Sequence, residues 1–238
     1  MSARGTNPQG WAVIRLAETG STNDDLLGMA RDGAPTGTVL VADHQTAGRG
    51  RLDRRWEAPA GANLLASLLF RPADTALYRC TWLVALAARE ACRVVAGTEP
   101  DLKWPNDLLV GGRKLAGILA ESAHGAVVVG IGVNVGWAPD GATSLAAESP
   151  AATVRPMDVL GAMLPVIDRL MAHDPTELVA AYRSALATIG TEVRVERAGL
   201  EPLVGRAVDV RDDGLLVVAT ERGEVAVAAG DVVHLRPA

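Results

Sequence analysis

Residues 126–135, AVVVGIGVNV, restrict the fold more than any other stretch of the chain. A run this apolar and this rich in β-branched side chains reads as a strand covered on both faces, so a layer must lie on each side of the sheet that holds it. Residues 114–122, KLAGILAES, form its expected partner, reached through a hairpin at Gly111-Gly112. Gly117, Gly130 and Gly132 break into these strands. A glycine inside a core strand weakens it, and marks either a bulge or packing contact or the close approach of a ligand. The sequence leaves both readings open.

Around this pair, strand and helix patterns alternate. Residues 11–19 and 38–42 predict strands, with a helix opening at residues 21–25, STNDD, whose hydroxyls and acids suit a first turn. Residues 63–70 predict a strand. Residues 78–95 predict a long helix stopped at Gly97, with Trp82 on its core face. Residues 101–107 read as a short strand running into a Pro105-Asn106-Asp107 turn. An ordered loop is expected over 137–155, and amphipathic helices over 156–171 and 176–189. From Thr191 the pattern changes to five short β-runs turned by Asp212-Asp213-Gly214 and Arg222-Gly223. Such a tail is short to stand alone and reads as a small barrel packed on the main domain. The expected organisation is a main domain over residues 1–190, opened by a flexible leader over 1–10, and a second domain over 191–238.

The chain of 238 residues carries 23 Lys and Arg against 28 Asp and Glu, a net charge of -5. A general nucleic-acid binder needs a basic surplus to neutralise phosphates, and this balance argues against one. Cys80 and Cys92, both inside the predicted long helix, form no disulfide framework or metal pair and fit a reducing cytoplasm. His44, His124, His173 and His234 lie far apart without ligand spacing, so no protein-built metal site is expected. No apolar leader opens the chain and no apolar run reaches membrane-spanning length.

Against that acidic background, residues 45–56, QTAGRGRLDRRW, gather Arg49, Arg51, Arg54 and Arg55 between two predicted strands. The segment matches neither GxxxxGK[ST] nor GxGxxG. It reads either as a clamp for an anionic ligand, with planar guanidinium forks and the Trp56 plate, or as a solvated basic loop. Its like charges predict mobility until an anion arrives. Ser21 and Thr22 are either a plain helix cap or ligand-binding hydroxyls. Turn chemistry accounts for Pro105 and Asn106 but poorly for Lys103 and Trp104.

Taken in order, Ser21-Thr22-Asn23, QTAGRGR with Arg54 and Trp56, KWPND, KLAGIL, GIGVNV, Thr143-Ser144-Leu145 and the final GDVVHLR resemble the bacterial biotin protein ligases. The resemblance covers nearly everything from Thr19 onward. It implies an α+β fold, a mixed central sheet flanked by helices and related to class II aminoacyl-tRNA synthetases, followed by an SH3-like barrel. It further implies ATP, Mg2+ and biotin as ligands, biotinyl-5'-AMP as the activated intermediate, and a lysine of a biotin carboxyl carrier protein domain as acceptor. No nucleic acid or membrane partner is implied. With the first expected strand starting at Trp11, the chain resembles the ligase-only form without an N-terminal DNA-binding domain.

By the same resemblance, Ser21, Thr22, Asn23, Gln45, Gly48, Arg49, Gly50, Gly117, Gly130 and Gly132 surround biotin. Arg49, Arg51, Arg54, Trp56, Lys103, Asn106, Lys114, Asn134 and Arg236 surround the nucleotide. Lys114, Arg51 and Asp107 are the catalytic candidates, with Lys114 the main cation. Asp107 would orient Lys114, help deprotonate the incoming lysine, or simply cap its turn. No carboxylate cage for magnesium is visible, and the ion would arrive on the phosphates. A lipoate ligase is the nearest enzymatic alternative, which GRGR with KWPND argues against. A nucleic-acid adaptor is the non-enzymatic one, which the acidic balance argues against.

Overall fold

The computed structural model describes residues 3–6, 10–52, 54–72, 77–197, 199–228 and 230–234. In chain order the elements are β1 (Ala3–Thr6), β2 (Ala12–Thr19), α1 (Thr22–Arg31), β3 (Thr38–Gln45), β4 (Leu64–Phe70) and α2 (Leu77–Ala96). Then follow β5 (Asp101–Lys103), β6 (Asp107–Val110), β7 (Arg113–Ala123), β8 (Ala126–Val133), α3 (Leu145–Glu148), α4 (Pro156–Met171) and α5 (Pro175–Ala185). The chain closes with β9 (Glu192–Glu196), β10 (Leu203–Val210), β11 (Leu216–Thr220), β12 (Gly223–Val227) and β13 (Asp231–His234).

The first sheet has eight strands in the order β1-β2-β3-β4-β8-β7-β6-β5. It is mixed, because β2 and β3 run parallel and every other pair is antiparallel. The apolar run that predicted a doubly covered strand lies at its centre as β8. Its alternate residues Val127, Val129, Ile131 and Val133 join a large core with α2, through Trp82 and Ala88, and with α4, through Val159, Met163 and Ile167. On the other face Ala126 and Val128 pack with Leu26 and Ala30 of α1, Leu40 of β3 and Leu69 of β4. Farther along that face come Gly130 and Gly132. The strand thus carries side chains under α1 and none just beyond it, and this is where a cavity opens.

Two expectations need correction. Residues 3–6 are not a leader but an edge strand paired antiparallel with β2. The helix expected over 176–189 ends at Ala185, because Leu186 turns extended and bridges Leu102 of β5, with Ala187 N–H donating to Leu102 O at 2.9 Å. An apolar residue at helical spacing is here captured by the sheet edge. The C-terminal strands form an antiparallel sheet in the order β12-β11-β10-β9-β13, and among the described residues its two edges do not pair, so no closed barrel forms. The arrangement remains consistent with an SH3-like unit.

This second sheet is seated on the first by Trp104, the residue turn chemistry did not explain. Its indole donates to Gly214 O at 3.1 Å, and its backbone N–H donates to the buried Thr188 hydroxyl at 3.0 Å, which also contacts His234 Nε2. Gly214, with φ +86, lies so close to α2 that a Cβ there would stand 2.8 Å from Tyr78 Cβ.

Candidate functional site

The cavity beyond α1 has a volume of about 240 Å³. Strand register sets its floor. Gly117 of β7 pairs with Gly132 of β8, which pairs with Leu65 of β4; one step along, Leu119, Gly130 and Ser67 form the next row. The N-terminus of α1 closes one end with Ser21, Thr22 and Asn23, and residues 49–52 and 54–57 fold over the top. The rim is completed by Asn106, Asp107, Lys114, Asn134 and, from the second sheet, Asp231.

At the α1 end the floor is a chain of buried neutral oxygens. Asn23 Nδ2 donates to Leu119 O at 3.1 Å and to Glu121 Oε2 at 2.8 Å, which uses both of its protons and makes its Oδ1 an acceptor. Ser67 Oγ lies 2.6 Å from that Oδ1 and 2.7 Å from Thr22 Oγ1, and Thr22 Oγ1 lies 3.0 Å from Gln45 Oε1. Two hydroxyl protons serve these three oxygen–oxygen contacts. Thr22 Oγ1 donates to Gln45 Oε1, and the Ser67 hydroxyl donates toward Asn23 Oδ1 and Thr22 Oγ1, which share its one proton. Gln45 Oε1 thus accepts twice from Thr22, from its hydroxyl at 3.0 Å and from its backbone N–H at 2.8 Å. Beside them Ser21, only 3% exposed, occupies the N-cap position of α1, yet its hydroxyl caps no N–H. The plain-cap reading of Ser21 therefore fails.

The basic segment is a tight hairpin. Arg49 and Arg55 form a bridge, Gly50 N–H donates to Arg54 O at 2.7 Å, and Trp56 N–H to Gly48 O at 3.0 Å, with Leu52 at φ +54 at the bend. A Cβ on Gly48 would stand 2.3 Å from Trp56 O, so Gly48 serves this crossing and is absent from the cavity lining. The Trp56 ring lies over Gly117 and Gly132, where a Cβ would come within 2.9 and 2.3 Å of it, while Gly130 clears the Asn23 amide. These glycines thus admit Trp56 and Asn23 into the cavity. The buried Trp56 N–H finds no acceptor among the described residues. An unmade buried hydrogen bond costs about 1–3 kcal/mol, which marks it as a candidate ligand contact.

Arg49, Arg51, Arg54 and Lys114 each have a partner in the chain. Arg49 donates to Asp24 at 2.5 Å and Glu121 at 2.7 Å; Arg51 donates to Asn106 Oδ1 at 3.1 Å and Gly230 O at 3.2 Å; Arg54 pairs with Asp231. The expectation that like charges repel until an anion arrives is corrected on this point, because these groups offset the repulsion. Burial lowers the pKa of Arg51 while Asp231 and Asp107 oppose the shift, and a guanidinium keeps its charge at any working pH. Lys114 Nζ lies 2.6 Å from Asp107 Oδ1 and 5.6 Å from the centre of the Trp56 ring. The carboxylate oxygen has no hydrogen bond of acceptable angle, so this short contact is Coulombic rather than directional.

Other candidates stand differently. Asn134 is buried, its amide donating to Thr143 O at 3.0 Å and Lys114 O at 3.4 Å while its oxygen accepts from Asn63 at 3.2 Å. It lines the cavity chiefly by holding the strand that carries Lys114. Lys103 is not among the lining residues and lies beside His234, whose pKa burial and Lys103 both lower. Arg236 lies outside the described residues. Sequence reasoning missed Ser67, Glu121, Asp24, Asn63 and Asp231. A lone hydroxyl in the apolar run LLASLLF was a usable signal for Ser67; the others carried none.

A model of the Biotin/lipoate A/B protein ligase family matches residues 16–137, and a model of the Biotin protein ligase C terminal domain matches residues 188–235. Fold and pocket thus define a protein of the biotin/lipoate ligase class. A biotin--[acetyl-CoA-carboxylase] ligase of Mycobacterium tuberculosis is 42% identical, over 95% of this chain and 91% of that protein. One of Paracoccus denitrificans is 35% identical over 91% and 98%. Among solved structures, biotin protein ligase from Aquifex aeolicus in complex with biotin and ATP superposes with a TM-score of 0.79 at 28% identity, covering 94% of this chain and 99% of that one. The chain belongs to the biotin protein ligase family.

Proposed function

We propose that this chain is an ATP-dependent biotin protein ligase, which activates biotin as biotinyl-5'-AMP and transfers the biotinyl group to a lysine of a biotin carboxyl carrier domain. The observation that carries the reading is the polar, neutral end built from Ser21, Thr22, Asn23 and Gln45 on one side of the cavity, with Lys114 and Arg51 at the other. A ureido ring offers N–H donors to buried acceptors. A lipoyl dithiolane offers none, so a polar floor of hydroxyls and amides favours biotin over lipoate.

At the far end two anions, a carboxylate and an α-phosphate, must meet. Fixed cations in a water-poor site stabilise the charge that develops there. We assign that role to Lys114 and Arg51. Asp107 holds Lys114 before substrates arrive and becomes a candidate base for the acceptor amine once the ammonium turns to the phosphate. Arg49, held by two carboxylates, serves the biotin end rather than the phosphates. Among the described residues no three metal-ligating groups cluster, so Mg2+ would come on the triphosphate, with Asp107 the carboxylate best placed to meet it. No helix is long and apolar enough to cross a membrane, and we place the enzyme in the cytoplasm with its carrier substrate. We set the boundary between its two domains at Gly190 and Thr191.

Labelled biotin, supplied with ATP and magnesium, should pass to a carrier domain and be competed by unlabelled biotin but not by lipoate. Labelling driven by lipoate, with biotin inert, would overturn the reading.

A further inference from the structure

Two side chains of the basic hairpin take no part in the chemistry described above, yet both border the cavity: Leu52 and Arg55. Leu52 sits in the turn that Arg54 N–H closes by donating to Arg51 O at 3.2 Å. Its φ is +54 and it is 57% exposed. That backbone region suits glycine, and after it asparagine or aspartate, rather than a bulky apolar residue. Turn chemistry and solvation both argue against leucine here, and such an outlier at the edge of a site points to a use for the side chain itself. Arg55 bridges Arg49 across the hairpin. Arg49, Arg51, Arg54 and Lys114 each have a partner, but the exposed Arg55 side chain makes no ion pair or hydrogen bond among the described residues.

We propose that Leu52 and Arg55 form a docking surface for the acceptor domain, meeting an apolar side chain and a carboxylate that flank its target lysine. This rests on the biotin ligase reading above, in which the acceptor amine bonds to the acyl carbon and AMP leaves. The reaction takes place within the cavity, so the protein that carries the amine must press on the rim, and the hairpin folds over that rim. A lysine among further cations would be repelled by Arg49, Arg51, Arg54 and Lys114. A lysine beside a carboxylate meets the free guanidinium of Arg55 instead, and complementary rim charges of this kind steer encounter. The nucleotide explains the pair less well, because a phosphate has no use for an exposed leucine. An apolar anchor bordered by polar contacts is how protein–protein contacts concentrate their energy.

The test uses the full chain loaded with biotinyl-AMP and follows a single turnover of transfer over a range of carrier-domain concentrations. Leu52→Asn suits the turn and removes the apolar group. It should raise the half-saturating carrier concentration roughly tenfold, with the maximal rate within about twofold. Arg55→Glu should raise that concentration roughly three- to tenfold and flatten its dependence on salt, and Arg55→Lys should keep most of the wild-type behaviour. In all three variants adenylate formation from biotin and ATP should stay within about twofold of wild type, and so should interception of the bound adenylate by hydroxylamine, a nucleophile that needs no docking.

A half-saturating carrier concentration equal to wild type in both Leu52→Asn and Arg55→Glu would overturn the inference. So would an equal loss with hydroxylamine, which would place the two residues in the cavity chemistry. A change in self-association at unchanged carrier affinity would also overturn it, by assigning the surface to a second copy of this chain. A wild-type protein that forms no biotinyl-AMP would instead overturn the functional reading, and this inference with it.

Discussion

The two ends of the cavity are built on opposite principles. At the α1 end, Thr22, Asn23, Gln45 and Ser67 are neutral, and all but Gln45 are buried; they are joined by short hydrogen bonds. At the other end Lys114, Arg51 and Arg54 are partly exposed charges, each held by Asp107, Asn106 or Asp231. A neutral network fixed by buried protons is suited to recognising shape and donor pattern and changes little on binding. A set of ion pairs at a rim can exchange a protein carboxylate for a phosphate, because surface pairs are individually weak. The difference separates recognition from chemistry along one pocket.

The largest effect should come from the charged end. Lys114→Ala is expected to slow single-turnover formation of biotinyl-AMP by roughly 10² to 10³, about 3–4 kcal/mol, as for loss of one preorganised charge-stabilising donor. Lys114→Arg should recover only part of it, since a planar fork does not replace a compact ammonium. A rate within about threefold of wild type for the alanine variant would move the burden to Arg51.

From the neutral end, Thr22→Val should weaken biotin binding roughly tenfold to a hundredfold by removing the hydroxyl that donates to Gln45 and accepts from Ser67. Its adenylate rate at saturating biotin should hold. A fall in that rate with affinity intact would mean that the two ends are not separate.

A smaller effect is expected at the exposed pair between the hairpin and the second sheet. Arg54→Ala and Asp231→Ala should each change the KM for ATP by only about two- to fivefold, because exposed ion pairs contribute about 0–1 kcal/mol. Reversing both charges, Arg54→Asp with Asp231→Arg, should return the value toward wild type if the pair acts as a latch.

The smallest concerns pH. Burial and Lys103 hold the His234 pKa below its ordinary value of 6.5, so the fold keeps this ring neutral. The unfolded chain then binds the proton first as pH falls, and stability drops through the window just below 6.5, with no contribution above it. Thermal melts of His234→Asn should show a flatter pH dependence there; an unchanged profile would show that Thr188 and His234 are indifferent to the charge.

Much of the floor was legible in the sequence because it is local. The alternation Ala126, Val128, Gly130, Gly132 on one face of β8 records where α1 ends and the cavity begins, and Ser21-Thr22 announces the helix that closes it. The partners of the charged groups were not legible. Glu121 meets Arg49 across 72 positions and Asn23 across 98, and Arg54 meets Asp231 across 177. Nothing in a surface Glu or Asp codon-by-codon distinguishes such a partner from a solvated charge. The repulsion expected in the basic loop failed for that reason. The SH3-like tail was legible as five short strands, although strand patterns give the number of strands and not how the edges meet.

Separation of a neutral floor from a charged rim is tested most directly by salt. The measurement is the affinity of wild-type protein for the primary amide of biotin, which keeps the ureido ring and lacks the carboxylate charge, beside the rate of adenylate formation from biotin and ATP, from roughly 0.05 to 0.5 M salt. The expected result is an amide affinity that stays flat while the adenylation rate falls as screening weakens the rim. An amide affinity that falls in step with the rate would contradict the separation.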